Sequence, residues 1–447
     1  MAEILKKILE RIHVWQTSSG FWSILAATTV TCLLLLFIYD ELLIFLLLAA
    51  VGGIVVLWFF PEAGLAFTVN GVVALAVARD LLGLSSGQWV TVLIMGVFVV
   101  SLAVILLKDV QIIEWRRVFR LMVVPALFGV LVLIAWLGSE QPAYANIKLI
   151  RYFTLHMTVS LAAAFSLISK QRLQMTLTWL AVLGIVSLLG SLLSFEMLSL
   201  HLGRLSVTRD VNPIAFARSL GFGSIAALLY WGYSRKGNAA VILMVIMTIV
   251  VIVLTGSRGP FLGFFFALVF FFLAWNRKPS RIVWSLLGLL VVLFLIILVM
   301  PSDFWAMRIT SLAANATIMQ RFTLWSRAID LIAQNPIFGI GLGSYDAYIG
   351  YNIHWPHNIF LEIWLEVGLI AVLLFGWFIV DAIVTGWRQR KKTTDMQLRR
   401  IASVALALLV MSLVVAQFSG DMTFNYLIWF AAVTLKGIPF LERTKNV

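Results

Sequence analysis

Residues 238–275 read NAAVILMVIMTIVVIVLTGSRGPFLGFFFALVFFFLAW. Two apolar runs flank a short polar break, Thr255-Gly256-Ser257-Arg258-Gly259-Pro260. Each run approaches the roughly 20 residues that a helix needs to cross a hydrocarbon core about 30 Å thick. Neither alternates polar and apolar residues, as a membrane barrel strand does. The pattern predicts two transmembrane helices, over 238–256 and 259–275, joined at one membrane face by a tight connection that carries a single arginine.

The same grammar recurs in both directions. Helices are expected at about 21–39, 42–60, 63–78, 88–107, 118–138, 147–168, 173–195 and 212–233, then after the opening pair at 282–300, 358–384, 400–418 and 424–441. The run at 63–78 is short and suits a re-entrant segment. The fold class is therefore all-α: a polytopic membrane helix bundle of about 12–14 transmembrane helices, with a large helical extracytoplasmic loop before a late span. Composition agrees. Of 447 residues, 62% are hydrophobic and 12% charged, against about 45–50% and 25% in soluble domains. A soluble enzyme, a disordered chain and a secreted disulfide scaffold are excluded. The single cysteine, Cys32, rules out intrachain disulfides. The first apolar run is long and followed by others, so no cleavable signal peptide is expected.

Four regions follow. Residues 1–15 form an interfacial amphipathic helix, with Ile4, Leu5, Ile8, Leu9 and Ile12 on one face. Residues 21–300 hold about eleven spans, 301–357 an extracytoplasmic loop with an amphipathic helix, and 358–441 the C-terminal spans.

The net charge of +13, from 33 Lys and Arg against 20 Asp and Glu, concerns topology and anionic lipid before nucleic acid. With Lys6, Lys7 and Arg11 in the cytoplasm, fourteen spans put most basic residues inside and both termini there. Ten remain at the outer ends: Arg79, Lys148, Arg151, Arg204, Arg209, Arg218, Arg258, Arg308, Arg321 and Arg327. Nine are arginine, whose planar fork binds phosphate bidentately. An anionic, phosphate-like ligand on the outer face is expected, with lipid headgroups or carboxylates such as Asp210 and Asp330 as the bland partners.

The connection between Met300 and Asn358 is too long for an idle loop. Met319–Gln334 is amphipathic, with Phe322, Trp325, Ile329 and Ile332 at helical spacing. Gly339-Ile340-Gly341-Leu342-Gly343 lacks the Lys-Ser/Thr of a phosphate-binding loop and the strand and acidic partner of a dinucleotide site. It reads as a tight turn, and no nucleotide cofactor is expected. His354-Trp355-Pro356-His357-Asn358 follows. Asn358 suits an N-cap. A helix N-terminus disfavours the imidazolium, so His357 is expected neutral, as a general base must be. His354 and His357 lack a third ligand of matching spacing, and no metal is expected. Glu362 and Glu366 share a helix face, placed to meet the cavity, an arginine or a buried partner.

At these residues the sequence resembles the O-antigen ligase superfamily, which comprises lipopolysaccharide O-antigen ligases and related O-antigen or exopolysaccharide polymerases. The resemblance covers about residues 200–380. It rests on Gly203-Arg204-Leu205, Asn212-Pro213, Ser257-Arg258-Gly259, Arg321, Trp325, Ala328, Asn335-Pro336, Gly339, Gly341, Gly343, His357-Asn358 and Glu366-Val367-Gly368, in that order between spans. The family often carries a second Asn after the first of these prolines, where Ile214 stands here. The resemblance implies a metal-independent membrane glycosyltransferase. It would move a glycan en bloc from an undecaprenyl-diphosphate-linked donor to a hydroxyl of a lipid or glycan acceptor, at the extracytoplasmic face of the bacterial inner membrane. Arg258 and Arg321 would hold the donor diphosphate, with Arg204 as a third, and His357 would orient or deprotonate the acceptor hydroxyl. Arg209, Arg218, Arg327, His354, Asn358 and Glu366 are further substrate-binding candidates. Membrane lipids, and no nucleic acid, are the other expected partners. Ligase and polymerase differ only in acceptor, and both stay open. The alternative is a polytopic transporter or flippase for an anionic lipid-linked glycan, which calls for midplane ionisable residues and repeat symmetry.

Overall fold

The computed structural model describes residues 52–71, 88–193, 212–275, 312–349 and 354–443, with isolated positions between 280 and 291. The predicted N-terminal amphipathic helix, Cys32, the first run and most of the run at 282–300 lie outside the described residues. Within them all regular structure is helical, and eight helices are long and apolar enough to cross a membrane, or nine if one bent pair counts as a span. The protein is a multi-pass membrane protein.

The bent pair is α1 (Gly52–Phe59) and α2 (Pro61–Asn70), which meet at 110°. The sequence predicted one run ending at 60 and another beginning at 63. The structure puts the break between them at Phe60, where Pro61 lacks the N–H needed to continue the first helix. Next come α3 (Gln88–Asp109), α4 (Trp115–Leu137), α5 (Pro142–Arg151), a π-helical turn at Tyr152–His156, α6 (Met157–Ser166), α7 (Lys170–Leu193), α8 (Pro213–Ala227), α9 (Arg235–Leu254) and α10 (Arg258–Trp275). The second half holds α11 (Leu312–Gln334), α12 (Tyr345–Ile349), α13 (Ile359–Val367), α14 (Leu369–Lys392), α15 (Met396–Ala416) and α16 (Leu427–Arg443).

Burial identifies the centre. In α15 78% of the apolar stretch is buried, against 28% in α3, so α15 is the axial helix and α3 lies at the rim. Trp429 of α16 anchors an aromatic cluster, with ring centroids 5.2 Å from Phe128, 5.8 Å from Phe375 and 5.6 Å from Phe378. Tyr152, in the π turn, joins it edge-on at 6.2 Å and donates its hydroxyl to the carbonyl of Pro125 at 2.7 Å. One contact set thus fixes α4, the π turn, α14 and α16 together, independent of any lipid.

The expected span over 358–384 needs correction. It is two helices, α13 and α14, broken at Gly368, and α14 runs on to Lys392. Gly368 has φ +97°. A side chain there would strike the backbone of Ile337 and Phe338. The gap in the helix is filled by that passing strand of chain: Leu369 donates its N–H to the Ile337 carbonyl at 3.0 Å, and Ile340 donates to the Leu365 carbonyl at 2.7 Å. The groups that the break leaves without intrahelical partners are thereby satisfied. Hydrophobicity could not reveal the break, because the sequence is apolar on both sides of it.

Two outcomes are expected. Gly368→Ala combines an unfavourable φ with a backbone clash, a cost of about 1–3 kcal/mol. It should lower the detergent-solubilised protein's thermal midpoint, whereas an unchanged midpoint would show that the break tolerates a side chain. Ala347 and Thr394 are both exposed, and the charge bias predicts them on opposite sides. In a background lacking Cys32, Ala347→Cys should react with an impermeant thiol reagent in intact cells, and Thr394→Cys only after permeabilisation.

Candidate functional site

The loop that carries the predicted residues is built on a buried ion cluster. Lys148, on α5, is fully buried. Its Nζ lies 2.7 Å from Glu362 Oε1 and 2.7 Å from both oxygens of Glu366. The i, i+4 spacing of the two glutamates brings both to one ammonium, which has three protons to donate. Glu366 Oε2 also accepts the backbone N–H of Gly343 at 2.8 Å. Glu366, expected to bind substrate, is thus buried and bonded to Lys148 and to the glycine turn.

That turn needs its glycines for contact with backbone. Gly339, Gly341 and Gly343 all have positive φ. Added Cβ atoms would run into the backbone of Leu365 and Glu366, of Gly138 and Ser139, and of Ala145, respectively. Leu342 donates its N–H to the Ala135 carbonyl at 2.9 Å. The chain is pressed between the end of α4, the start of α5 and the break at Gly368.

The turn carries α11 and α12 on a small core of its own, formed by Leu324, Ala328, Leu331, Ile332, Ile340, Tyr345 and Leu365. Tyr345 donates its hydroxyl to the Leu324 carbonyl at 2.6 Å. Trp325 Nε1 donates to the Pro356 carbonyl at 2.8 Å, which ties α11 to the histidine loop. Arg321, one turn earlier on the same face, is brought to the same place.

His357 is the only non-glycine residue with positive φ among the described residues, at +58°. Such strain persists where the surroundings impose it. Here Pro356 is held from one side, and Asn358 caps α13 on the other, accepting the N–H groups of Phe360 and Leu361 at 3.1 Å each. The indole Nε1 of Trp355 donates to His357 Nδ1 at 2.9 Å. An indole nitrogen only donates. His357 Nδ1 must therefore be unprotonated, and the neutral ring carries its proton on Nε2. Burial, followed by the nearby Arg321 charge, pushes the His357 pKa down to about 4. Burial, followed by the charge of Arg258, also lowers that of Arg321. Arg321 thus lies within electrostatic reach of both Arg258 and His357. Arg258 is exposed at the start of α10, after a turn in which Gly256 takes φ +61°.

His354 has a different setting. Its Nδ1 lies 2.6 Å from Asp346 Oδ2 on α12, and its ring lies 4.6 Å from that of Tyr144, centroid to centroid. Tyr144 in turn donates its hydroxyl to Asp421 Oδ2 at 2.8 Å. The two imidazoles flank one indole, at 6.0 Å for His354 and 5.5 Å for His357.

Of the other candidates, Arg218 hydrogen-bonds Asn425 and packs with Phe222, Met411, Ser412 and Leu427. Arg327 is exposed further along α11. Arg204 and Arg209 lie outside the described residues. His156 is buried, bonded to the Met422 carbonyl at 3.0 Å and stacked on Tyr152, in a structural position. Among the described residues no three His, Cys, Asp or Glu side chains gather as a metal site. Sequence reasoning missed Tyr144, Asp346 and the donor role of Trp355. Their spacing in the chain gives no sign of these contacts. Lys148 did carry a signal, as the one lysine among the ten outer basic residues.

Residues 242–376 match the O-antigen ligase family. That segment holds Arg258, Arg321, Asp346, both histidines and both glutamates, while Lys148 and Tyr144 lie outside it. A Pseudomonas aeruginosa O-antigen ligase is 28% identical over 265 residues. Over these segments the chain is similar to O-antigen ligases. The match to that relative covers 58% of this chain and 62% of the ligase, so the chain spans less than two thirds of the ligase's length.

The buried cluster and the tautomer can both be checked. Lys148→Met leaves two carboxylates buried without their cation, a loss on the order of 3–5 kcal/mol. It should abolish the thermal transition or lower it sharply, and adding Glu362→Gln and Glu366→Gln should restore much of the loss. Long-range ¹H–¹⁵N spectra of histidine-labelled protein should show His357 neutral and protonated at Nε2 at pH 6, where an unperturbed histidine is mostly charged. A midpoint near 6.5 or a proton on Nδ1 would contradict the geometry.

Proposed function

We propose that the protein transfers a glycan en bloc from an undecaprenyl-diphosphate-linked donor to an acceptor hydroxyl, as an O-antigen ligase or polymerase. The observation that carries this reading is Arg321, which lies within electrostatic reach of Arg258 and of a neutral His357. The charge of Arg258 disfavours that of Arg321, and an anion placed between two cations relieves such repulsion. The start of α10 adds the positive end of its helix dipole at Arg258.

The chemistry suits such a site. The acceptor oxygen attacks the anomeric carbon of the donor sugar. The bond from that carbon to the diphosphate oxygen breaks, and the diphosphate departs with the electron pair. The leaving group is competent without full protonation, so stabilising its growing charge is the main task. Guanidiniums in a partly dry site do this well. His357, with a proton on Nε2, orients a substrate oxygen by donating to it. In this tautomer it has no free ring lone pair with which to deprotonate the acceptor. Asn358 and Glu366 act indirectly, through the α13 cap and the glycine turn. In this reading the site faces the extracytoplasmic side of a bacterial inner membrane, both termini are cytoplasmic, and the acceptor is a lipid-anchored or lipid-linked glycan.

Proteoliposomes containing the protein and an undecaprenyl-diphosphate glycan should release undecaprenyl diphosphate. Mass analysis of the product's reducing end should show the whole glycan on a new acceptor. Translocation of intact donor with no new glycosidic bond would mark a transporter instead. Arg258→Lys and Arg321→Lys keep the charge but lose the fork. Each should cut turnover by on the order of 10²-fold or more, and wild-type turnover in both would remove the arginines from the mechanism.

A further inference from the structure

We infer that His354, oriented by Asp346, is the general base that takes the proton from the acceptor hydroxyl, while His357 serves only as a hydrogen-bond donor. The inference rests on the transfer reading above and divides between two histidines a role that one was expected to fill.

The division follows from hydrogen-bond direction. A carboxylate oxygen accepts and an imidazole nitrogen facing it donates, so the 2.6 Å contact between Asp346 Oδ2 and His354 Nδ1 puts a proton on Nδ1. The neutral ring then carries its lone pair on Nε2. This is the arrangement in which a carboxylate holds a histidine base in its working tautomer. The His354 side chain is 41% exposed while Asp346 is 18% exposed, so the carboxylate is covered and the ring reaches the open side of the loop. His357 has the opposite arrangement. Its Nδ1 lone pair is taken by the Trp355 indole, and only an Nε2 proton remains to donate.

The two rings are also held in register. Tyr144 packs against His354 at 4.6 Å and stacks near Trp355 at 6.5 Å. Its own hydroxyl is fixed by Asp421, and its ring covers the Lys148 ammonium at 5.3 Å. The buried ion cluster therefore supports a platform with a donor on one side and a base on the other. The diphosphate sits at the donor side with Arg321 and Arg258, and the acceptor hydroxyl approaches from the His354 side.

The step balances. The acceptor O–H gives its proton to His354 Nε2 as its oxygen bonds the anomeric carbon. The carbon–oxygen bond to the diphosphate breaks, and undecaprenyl diphosphate leaves with that electron pair. The imidazolium, stabilised by Asp346, then releases the proton to water.

The test uses full-length protein in proteoliposomes, with an undecaprenyl-diphosphate-linked repeat unit as donor. The same lipid-linked repeat and lipopolysaccharide core are supplied in parallel as acceptors. His354→Gln can keep the contact to Asp346 without offering a base, and His354→Ala leaves room for free imidazole. Both should lose on the order of 10²–10⁴-fold in kcat, with the donor KM unchanged, and added imidazole should partly restore His354→Ala. Asp346→Asn should lower kcat in the same direction, again without moving the donor KM. Wild-type kcat in His354→Gln would overturn the assignment while leaving the transfer reading intact. So would a loss that imidazole does not rescue and that appears as a raised donor KM. Wild-type protein that forms no glycosidic bond with either acceptor would overturn the transfer reading and this inference with it.

Discussion

The structure of the site depends on one buried ammonium. Lys148 lies between Glu362 and Glu366 with none of the three exposed to solvent, and it links α5 of the bundle to α13 of the loop region. A buried ion pair contributes little net stability, because desolvation offsets most of the attraction, but breaking it is costly. Its effect here is to set position. Glu366 fixes Gly343, the glycine turn fills the break at Gly368, and the turn carries the α11 core. Trp325 of α11 then holds Pro356, next to the strained His357. Each contact is short and local, yet the series connects the centre of the bundle to the histidine loop.

The site separates charged from neutral groups. Arg258 and Arg321 supply positive charge, while burial and Arg321 keep His357 uncharged beside them. A third cation there would add repulsion when no substrate is bound, and it could not offer the directional donor that the neutral Nε2–H provides. His354 has its own carboxylate, Asp346. Anion stabilisation and proton acceptance therefore need not compete for one ring.

Much of this was legible in the sequence. Apolar runs of spanning length predicted the helical membrane fold, and the arginine bias, the amphipathic segment before Asn335-Pro336 and the cap at Asn358 pointed to the loop. The break at Phe60 showed as the gap between the runs ending at 60 and beginning at 63, with Pro61 in it; the break at Gly368 was hidden, because apolar residues lie on both sides and what interrupts the helix is a crossing backbone segment. The pairing of Lys148 with residues more than 200 positions away left only the trace of a lysine among arginines. The opposite tautomers of His354 and His357 left none. They depend on which nitrogen meets Asp346 and which meets Trp355, a matter of side-chain placement that spacing does not encode.

The most direct measurement is a cryo-electron microscopy structure of the protein with an undecaprenyl-diphosphate glycan bound. The account expects the diphosphate between Arg258 and Arg321, with His357 Nε2 donating to one of its oxygens and the anomeric carbon turned toward His354. A diphosphate bound away from both Arg258 and Arg321 would contradict it.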